Sequence, residues 1–453
     1  MNTTWLSFYE RLDIELIQCK EEGKDISGYK EKIIQLKGLD SREREIRAGI
    51  LLDELAGLPI KGEHTYTEPS NIDEIKILRP HGPRRMEVQL SENEMHDKVL
   101  GAWLGRCSGC LLGQPIEGWK RERIIGLAKE TNNYPFNYYI SSDISTELRE
   151  KYNISDEGSV YGSSNINWIN NIEHMVEDDD TNYTIMGLSI LEKYGLDFTP
   201  EDVAESWLNN LPILHTCTAE RVAYQNIVNL IMPPESASYR NSYREWIGAQ
   251  IRADFFGYIT PGYPELGAEL AWRDASISHI KNGIYGEMWV AAMLSAAAVT
   301  EDINQIIKIG LSEIPKTSRL TTSILDVLTW KSSGLAWEEA VDRVHDMYDE
   351  SNGHDWCHTI SNAIIVTLAL IYGEKDFERT IGIANLAGFD TDCNGATVGS
   401  IIGMILGAKR LPEKWINPLN DMIKSGVDGF QKIAISELAK RTIPFARMTM
   451  DIS

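Results

Sequence analysis

Four glycines at every fourth position, Gly101, Gly105, Gly109 and Gly113, fall in one run of helical periodicity, and a second set, Gly395, Gly399, Gly403 and Gly407, falls in another. Glycine costs a helix interior ~1 kcal/mol relative to alanine, so two rows of four need a compensating gain. A spacing of four puts each row on one helix face as a stripe without side chains. Close backbone-to-backbone packing of helices supplies the gain. Membrane dimers use such stripes too, but the apolar stretch 396–408 is shorter than the ~20 residues a span needs, and Asp390 and Asp392 precede it directly. The rows predict helices packed inside a soluble bundle.

The rest of the chain agrees with an all-α class. Trp5, Phe8, Leu12 and Leu16 keep a spacing of three and four, as do the pairs Ile46/Ile50 and Leu51/Leu55 before Gly57 and Pro59 end the run. Residues 60–95, with Pro69, Pro80 and Pro83, read as a connector with at most short strands. From Asp97 onward the helical signal returns and scarcely stops. Thr199-Pro200-Glu201-Asp202 is a helix start, with Thr as N-cap and Pro at the first position. The segments 283–300 and 359–372 are apolar on nearly all sides and predict central core helices. There is neither βαβ alternation nor a repeat of 20–50 residues.

The length of 453 residues suggests two to four domains, or one large domain with an extension. Lys and Arg number 44 against 67 Asp and Glu, a formal charge of −23. Such a surface repels phosphate backbones, so non-specific nucleic-acid binding is not expected. The residues Met1 to Arg11 lack a basic segment followed by an apolar one, so the expectation is a cytoplasmic protein. Six cysteines are too sparse for a disulfide framework, and Cys107-x-x-Cys110 lacks the second pair of a zinc ribbon. Both read as small buried apolar residues.

The chemistry concentrates in two acidic motifs. Glu177-Asp178-Asp179-Asp180-Thr181 stands immediately before a helical pattern, and Gly388-Phe389-Asp390-Thr391-Asp392 precedes another. Adjacent carboxylates repel one another when partly buried, and a bound cation relieves this. A helix N-terminus relieves part of it, so an acidic cap on a solvated helix is the plain alternative for either motif alone. Two such openings suggest a dinuclear site assembled from distant segments, with oxygen ligands that suit Mg²⁺ or Mn²⁺ better than zinc. Glu117, in the turn Gly113-Gln114-Pro115-Ile116-Glu117-Gly118, is a third and weaker candidate. His279 and His358 read as structural, and no phosphate loop, nucleophile elbow or GxGxxG occurs. A prenyl-synthase type of acidic motif requires a carboxylate at the fifth position, where Asn182 stands.

In order and spacing, Gly101 to Gly105 through Gly113 to Glu117, then Asp178 to Thr181, then Gly388 to Asp392 with Gly395 and Gly399, resemble the ADP-ribosylglycohydrolase family, over roughly residues 97–445. The resemblance implies an orthogonal multi-helix bundle over 96–453, with 1–95 as an N-terminal helical extension and connector. It implies two Mg²⁺ or Mn²⁺ ions held by Asp178, Asp179, Asp180, Asp390, Asp392 and Cys393, where Asp178 and Cys393 stand in place of the family's threonines. Glu117, Asp179 and Asp392 take the catalytic roles. Gly248 and Arg252 match the loop that contacts ADP-ribose, and Asn394 or water completes the shell beside Cys393. Cys110 occupies a position where many members have Asp. The implied reaction cleaves the C1 bond of a protein-linked or free ADP-ribosyl, or related ribosyl, compound. A simpler N- or O-ribosyl substrate and a non-catalytic binding relative are the alternatives.

Overall fold

The two glycine rows meet. In the computed structural model, which describes residues 4–62, 64–158 and 165–452, the helix Glu92–Gly113 runs antiparallel against the helix Thr391–Leu406. A Cβ on Gly101, Gly105 or Gly109 would overlap the carbonyl oxygen of Gly403, Gly399 or Gly395 respectively, and the reverse holds for the second row. Gly113 abuts the backbone of Thr391 and Asp392. The eighth glycine differs from expectation: the second helix ends at Leu406, and Gly407 is its C-cap at φ 74. That left-handed conformation is where glycine is favoured as a helix stop.

Around this seam the described residues form 23 α-helices and a single two-stranded hairpin, Ile423–Lys424 with Lys432–Ile433. Every residue of the helices Asn282–Ala297 and Thr359–Gly373 is buried, as their apolar character predicts. Thr199 caps the helix Pro200–Asn210 in a capping box with Asp202. No helix among the described residues is long and apolar enough to cross a membrane.

Two local expectations are corrected. The connector carries a helix, Ile72–Leu78 capped by Asn71, rather than strands, and the next helix begins at Glu92 under a Ser91–Glu94 capping box. Between 131 and 178 the helical signal is interrupted, with one short α-helix, Thr146–Lys151, and a 3-10 turn among the described residues. Side chains organise this stretch instead: Asn133 accepts the backbone N–H groups of Asn137 and Tyr138, and Asn170 accepts that of Ser142. Ile46 and Ile50 are about half exposed, because the helix Ser41–Ala56 turns Ala48, Leu51, Leu52 and Leu55 inward.

The extension has a small core of its own, formed by Leu12, Leu16, Cys19, Ile33, Leu36, Leu52 and Leu55 among others. Buried ions join it to the rest. Arg244 lies 2.7 Å from Glu15 and 3.0 Å from Glu22. Arg319 reaches Glu21, Glu68 and Glu245 at 3.2, 3.0 and 2.7 Å, and Gln18 donates to Glu245 at 2.6 Å. His354 and His358 turn their Nε2 atoms to Glu21, a set with the spacing of a metal site. However, the Nδ1 of His354 accepts the indole N–H of Trp246, and that of His358 accepts the backbone N–H of Ile360. Both Nδ1 atoms are thus taken up as acceptors and the Nε2 atoms face the carboxylate at 3.3 and 3.5 Å, whereas a metal-bound ring donates from its other nitrogen. His358 is structural, as is the fully buried His279, whose Nδ1 pairs with Ser278.

Candidate metal and substrate site

Each acidic motif is shaped by the helix it opens. Asp178 is the N-cap of the helix Asp179–Tyr194: one oxygen accepts the N–H of Asp180 at 2.9 Å, the other accepts Gln114 at 2.6 Å. Asn167 holds that glutamine in turn, at 2.8 Å. Asp180 is fully buried with Arg106 at 3.2 Å, and the same guanidinium lies 2.9 Å from Asp254 and donates to the Ile251 carbonyl. The remaining oxygen of Asp180 has no hydrogen-bond partner among the described residues. An unpaired buried carboxylate oxygen is costly, and a cation is the natural complement.

The second motif is positioned by the glycine seam. Gly388 and Phe389 take successive positive φ values of 80 and 59, which turn the chain into the helix Thr391–Leu406. Thr391 then donates to the Gly113 carbonyl at 2.9 Å, fastening this turn to the end of the first glycine helix. Glu117 follows that helix by one 3-10 turn, so it comes to lie beside Asp390 and Asp392. Carboxylate oxygens of these three lie within 4.8 Å of one another. Asp180, Asp392 and Cys393 form a second group at that spacing, and Cys110, Asp178 and Asp180 a third. One oxygen of Asp392 is also buried without a hydrogen-bond partner.

These residues fit a divalent-cation centre. Two buried carboxylates each leave an oxygen unpaired, Arg106 is the cation in contact with the cluster among the described residues, and oxygen predominates in the set. Such chemistry suits Mg²⁺ or Mn²⁺. Burial pushes the thiols of Cys110 and Cys393 well above their ordinary range. They stay neutral, and a neutral thiol is a poor ligand for a hard ion.

The metal-free cluster has a distinct pH signature. Burial, followed by mutual repulsion, raises Asp178 and Asp390, and burial raises Asp392 to about 6. Glu117, open to the cavity water, is raised first by the charge of Asp392 and then by desolvation. A carboxyl raised in the folded state contributes stability that is full below the unfolded value and is lost as pH climbs through the folded one. The melting temperature of chelator-treated protein is therefore expected to fall as pH rises from about 4, the unfolded value, through about 6, where Asp392 ionises, and above. Added Mn²⁺ should restore it, with a larger upward shift at the alkaline end. Equal metal shifts at both ends would contradict the assignment.

A cavity of about 500 Å³ opens onto Glu117, Asp178, Asp179, Asp390, Asp392 and Cys393, with Gly248 on its wall. Not every expected residue reaches it. Arg252 lies behind, fully buried, 2.5 Å from Asp274 and 2.9 Å from Glu220. Asn394 is buried and donates to Asn362 at 2.8 Å. Gly248 is at the wall because a Cβ there would overlap the carboxylate of Glu220. Glu220, which the sequence reading did not single out, lines the cavity and is raised by burial to about 7. Arg106 was also missed, although a lone arginine within the apolar run Ala102–Leu112 signals a buried countercharge. A larger cavity of about 660 Å³ lies between the extension and the remainder, but its Glu22, Lys24, Arg240 and Arg244 pair with carboxylates or cations of their own.

The ADP-ribosylglycohydrolase family profile matches residues 91–447. Among solved structures, the chain is similar to one titled "ADP-ribosylglycohydrolase-related protein complex", at 18% identity over 79% of this chain and 100% of that one, with a TM-score of 0.46. No curated protein matches significantly.

Proposed function

Since the chain belongs to the ADP-ribosylglycohydrolase family, we propose that it is a metal-dependent glycohydrolase that cleaves the C1 bond of the ribose in an ADP-ribosyl or related ribosyl compound. The observation that carries this reading is the convergence of Glu117, Asp179, Asp390 and Asp392, from three distant segments, on one cavity. Cleavage builds positive charge on the ribose ring, so the reaction needs an anchored sugar, an activated water and a stabilised leaving group. Bound divalent cations would supply an anchor for ribose oxygens and acidify water.

This chain's residues would divide the remaining work. Asp179, Asp390 and Asp392 hold the cations at the cavity wall, while Arg106 and Gln114 fix the orientation of Asp180 and Asp178. Glu117 is the carboxylate most open to the cavity, which suits it to take the proton of the attacking water. Glu220, neutralised in part by Arg252, is placed to hold a proton near neutral pH. The test is incubation of the full chain with Mg²⁺ or Mn²⁺ and a panel of ADP-ribosyl and simple ribosyl compounds, read by mass spectrometry. Release of free ADP-ribose or ribose supports the reading, and a panel left intact in both metals opposes it.

Cys393 provides a finer test of the metal shell. It faces the cavity at 7% exposure, where a hydroxyl would complete the second ion's ligands. Cys393→Thr is expected to tighten the weaker metal site severalfold and to lower the Mg²⁺ concentration for half-maximal activity, with substrate choice unchanged. Calorimetric titration of Mg²⁺ reads this, and identical isotherms for wild type and variant would show that the shell is completed without position 393.

A further inference from the structure

The cavity has a wall that lies outside the segment matched by the family. Trp5, in the extension, lines it together with Glu117, Asp179 and Asp390. Its ring is partly buried and packs against the main core, not the small core of the extension to which Phe8 and Tyr9 belong. Trp5 also adopts φ 66, a left-handed backbone that a bulky residue rarely takes. Such an outlier persists only where the surroundings hold it. Two buried arginines do so: Arg11 donates to the Trp5 carbonyl at 2.9 Å, and the Arg221 guanidinium lies 4.7 Å from the ring centroid.

Arg221 is itself unusual. It is 3% exposed and lines the cavity, yet its donors go to the backbone carbonyls of Thr4, Leu214 and Thr216, and no carboxylate lies within 4 Å of it among the described residues. A guanidinium without a carboxylate partner, with an indole against it, gives the otherwise acidic cavity one flat, singly charged stretch of wall. Resting on the glycohydrolase reading, we infer that Trp5 is a specificity-determining contact that stacks on a flat ring carried by the substrate beyond its ribose, with Arg221 as the residue that positions it. Aromatic faces bind nucleobases in this way irrespective of base identity.

The test compares two probes that share a phosphorylated ribose, ADP-ribose and ribose 5-phosphate, of which only the first carries an AMP moiety with its flat base. Each is titrated calorimetrically into the Mn²⁺-loaded full chain. Trp5→Ala is expected to weaken ADP-ribose by roughly tenfold or more and leave ribose 5-phosphate unchanged. Trp5→Phe, which retains a ring face, should recover most of the loss, and this recovery separates stacking from a folding defect. Equal affinity of wild type and Trp5→Ala for ADP-ribose would overturn the inference while the glycohydrolase reading stands. Equal weakening of both probes would overturn it as well, because the segment would then act through the fold. If wild type binds neither probe, the glycohydrolase reading itself fails, and the inference with it.

Discussion

Gly105→Leu, and equally Gly399→Leu, is expected to leave little folded protein, with a loss exceeding the ~1–3 kcal/mol typical of an overpacked core. Ordinary overpacking displaces side chains, which can turn to another rotamer. Here the atom in the way is a main-chain carbonyl oxygen of the facing helix, and even the first carbon of a side chain overlaps it. The helices can separate only by opening the whole seam from Gly101/Gly403 to Gly109/Gly395. Leucine and alanine both raise intrinsic helix propensity by up to ~1 kcal/mol over glycine, so propensity and packing predict opposite signs. Thermal unfolding followed by circular dichroism decides between them: alanine should already lower the melting temperature, and leucine should lower it further. Unchanged or raised values for both substitutions would mean that the rows face solvent.

Asp392→Ala is expected to lower turnover by at least ~10²-fold, the scale of losing a positioned acid–base or ligand group, and Asp179→Ala to do the same. The two residues lie 213 positions apart, so the shared effect tests their convergence as much as their chemistry. Asp392, like Asp180, belongs to two of the three ligand groups, and of the two it is the one that lines the cavity. Stability should move the other way. Above about pH 6, where this buried carboxyl ionises in the metal-free protein, its removal relieves repulsion and should raise the melting temperature of chelator-treated protein. Full activity of Asp392→Ala under controlled metal concentration would refute the assigned site.

Features that depend on neighbours in the chain were legible before the fold. The glycine rows, the all-buried central helices and the two acidic helix openings follow from spacings of three to five residues, and apart from Gly407, which ends its helix, each sits where its spacing implies. Convergence of the two acidic motifs was legible from their shared form, and that of Glu117 with them only through family resemblance. Nothing local marks Glu220 as a cavity residue or Trp5 as part of its wall, since both depend on contacts with residues distant in sequence. The stretch 131–178 deceived because its order comes from Asn and Ser side chains bonding to backbone, which leaves no apolar period. Ile46 and Ile50 lie in a helix as their spacing implies, and their exposure shows that a spacing of four defines a face but not the direction in which it points. Arg252 resembled a substrate contact from its loop, yet three carboxylates around it, Asp274, Glu220 and Glu287, keep it in the interior.

The buried ion pairs between the extension and the remainder bear on how such a chain can be shortened. Arg244 and Arg319 are enclosed in the larger part, while Glu15, Glu21, Glu22 and Glu68 come from the first 95 residues. Removing those residues would strip both guanidiniums of most of their countercharge, and stranding one buried charge costs ~3–5 kcal/mol. The first 95 residues are thus not a detachable module, whatever a boundary drawn from family similarity suggests. A chain shortened to begin at residue 96 is therefore expected to melt below the full chain, and neutral substitutes for Arg244 and Arg319 should recover part of the loss.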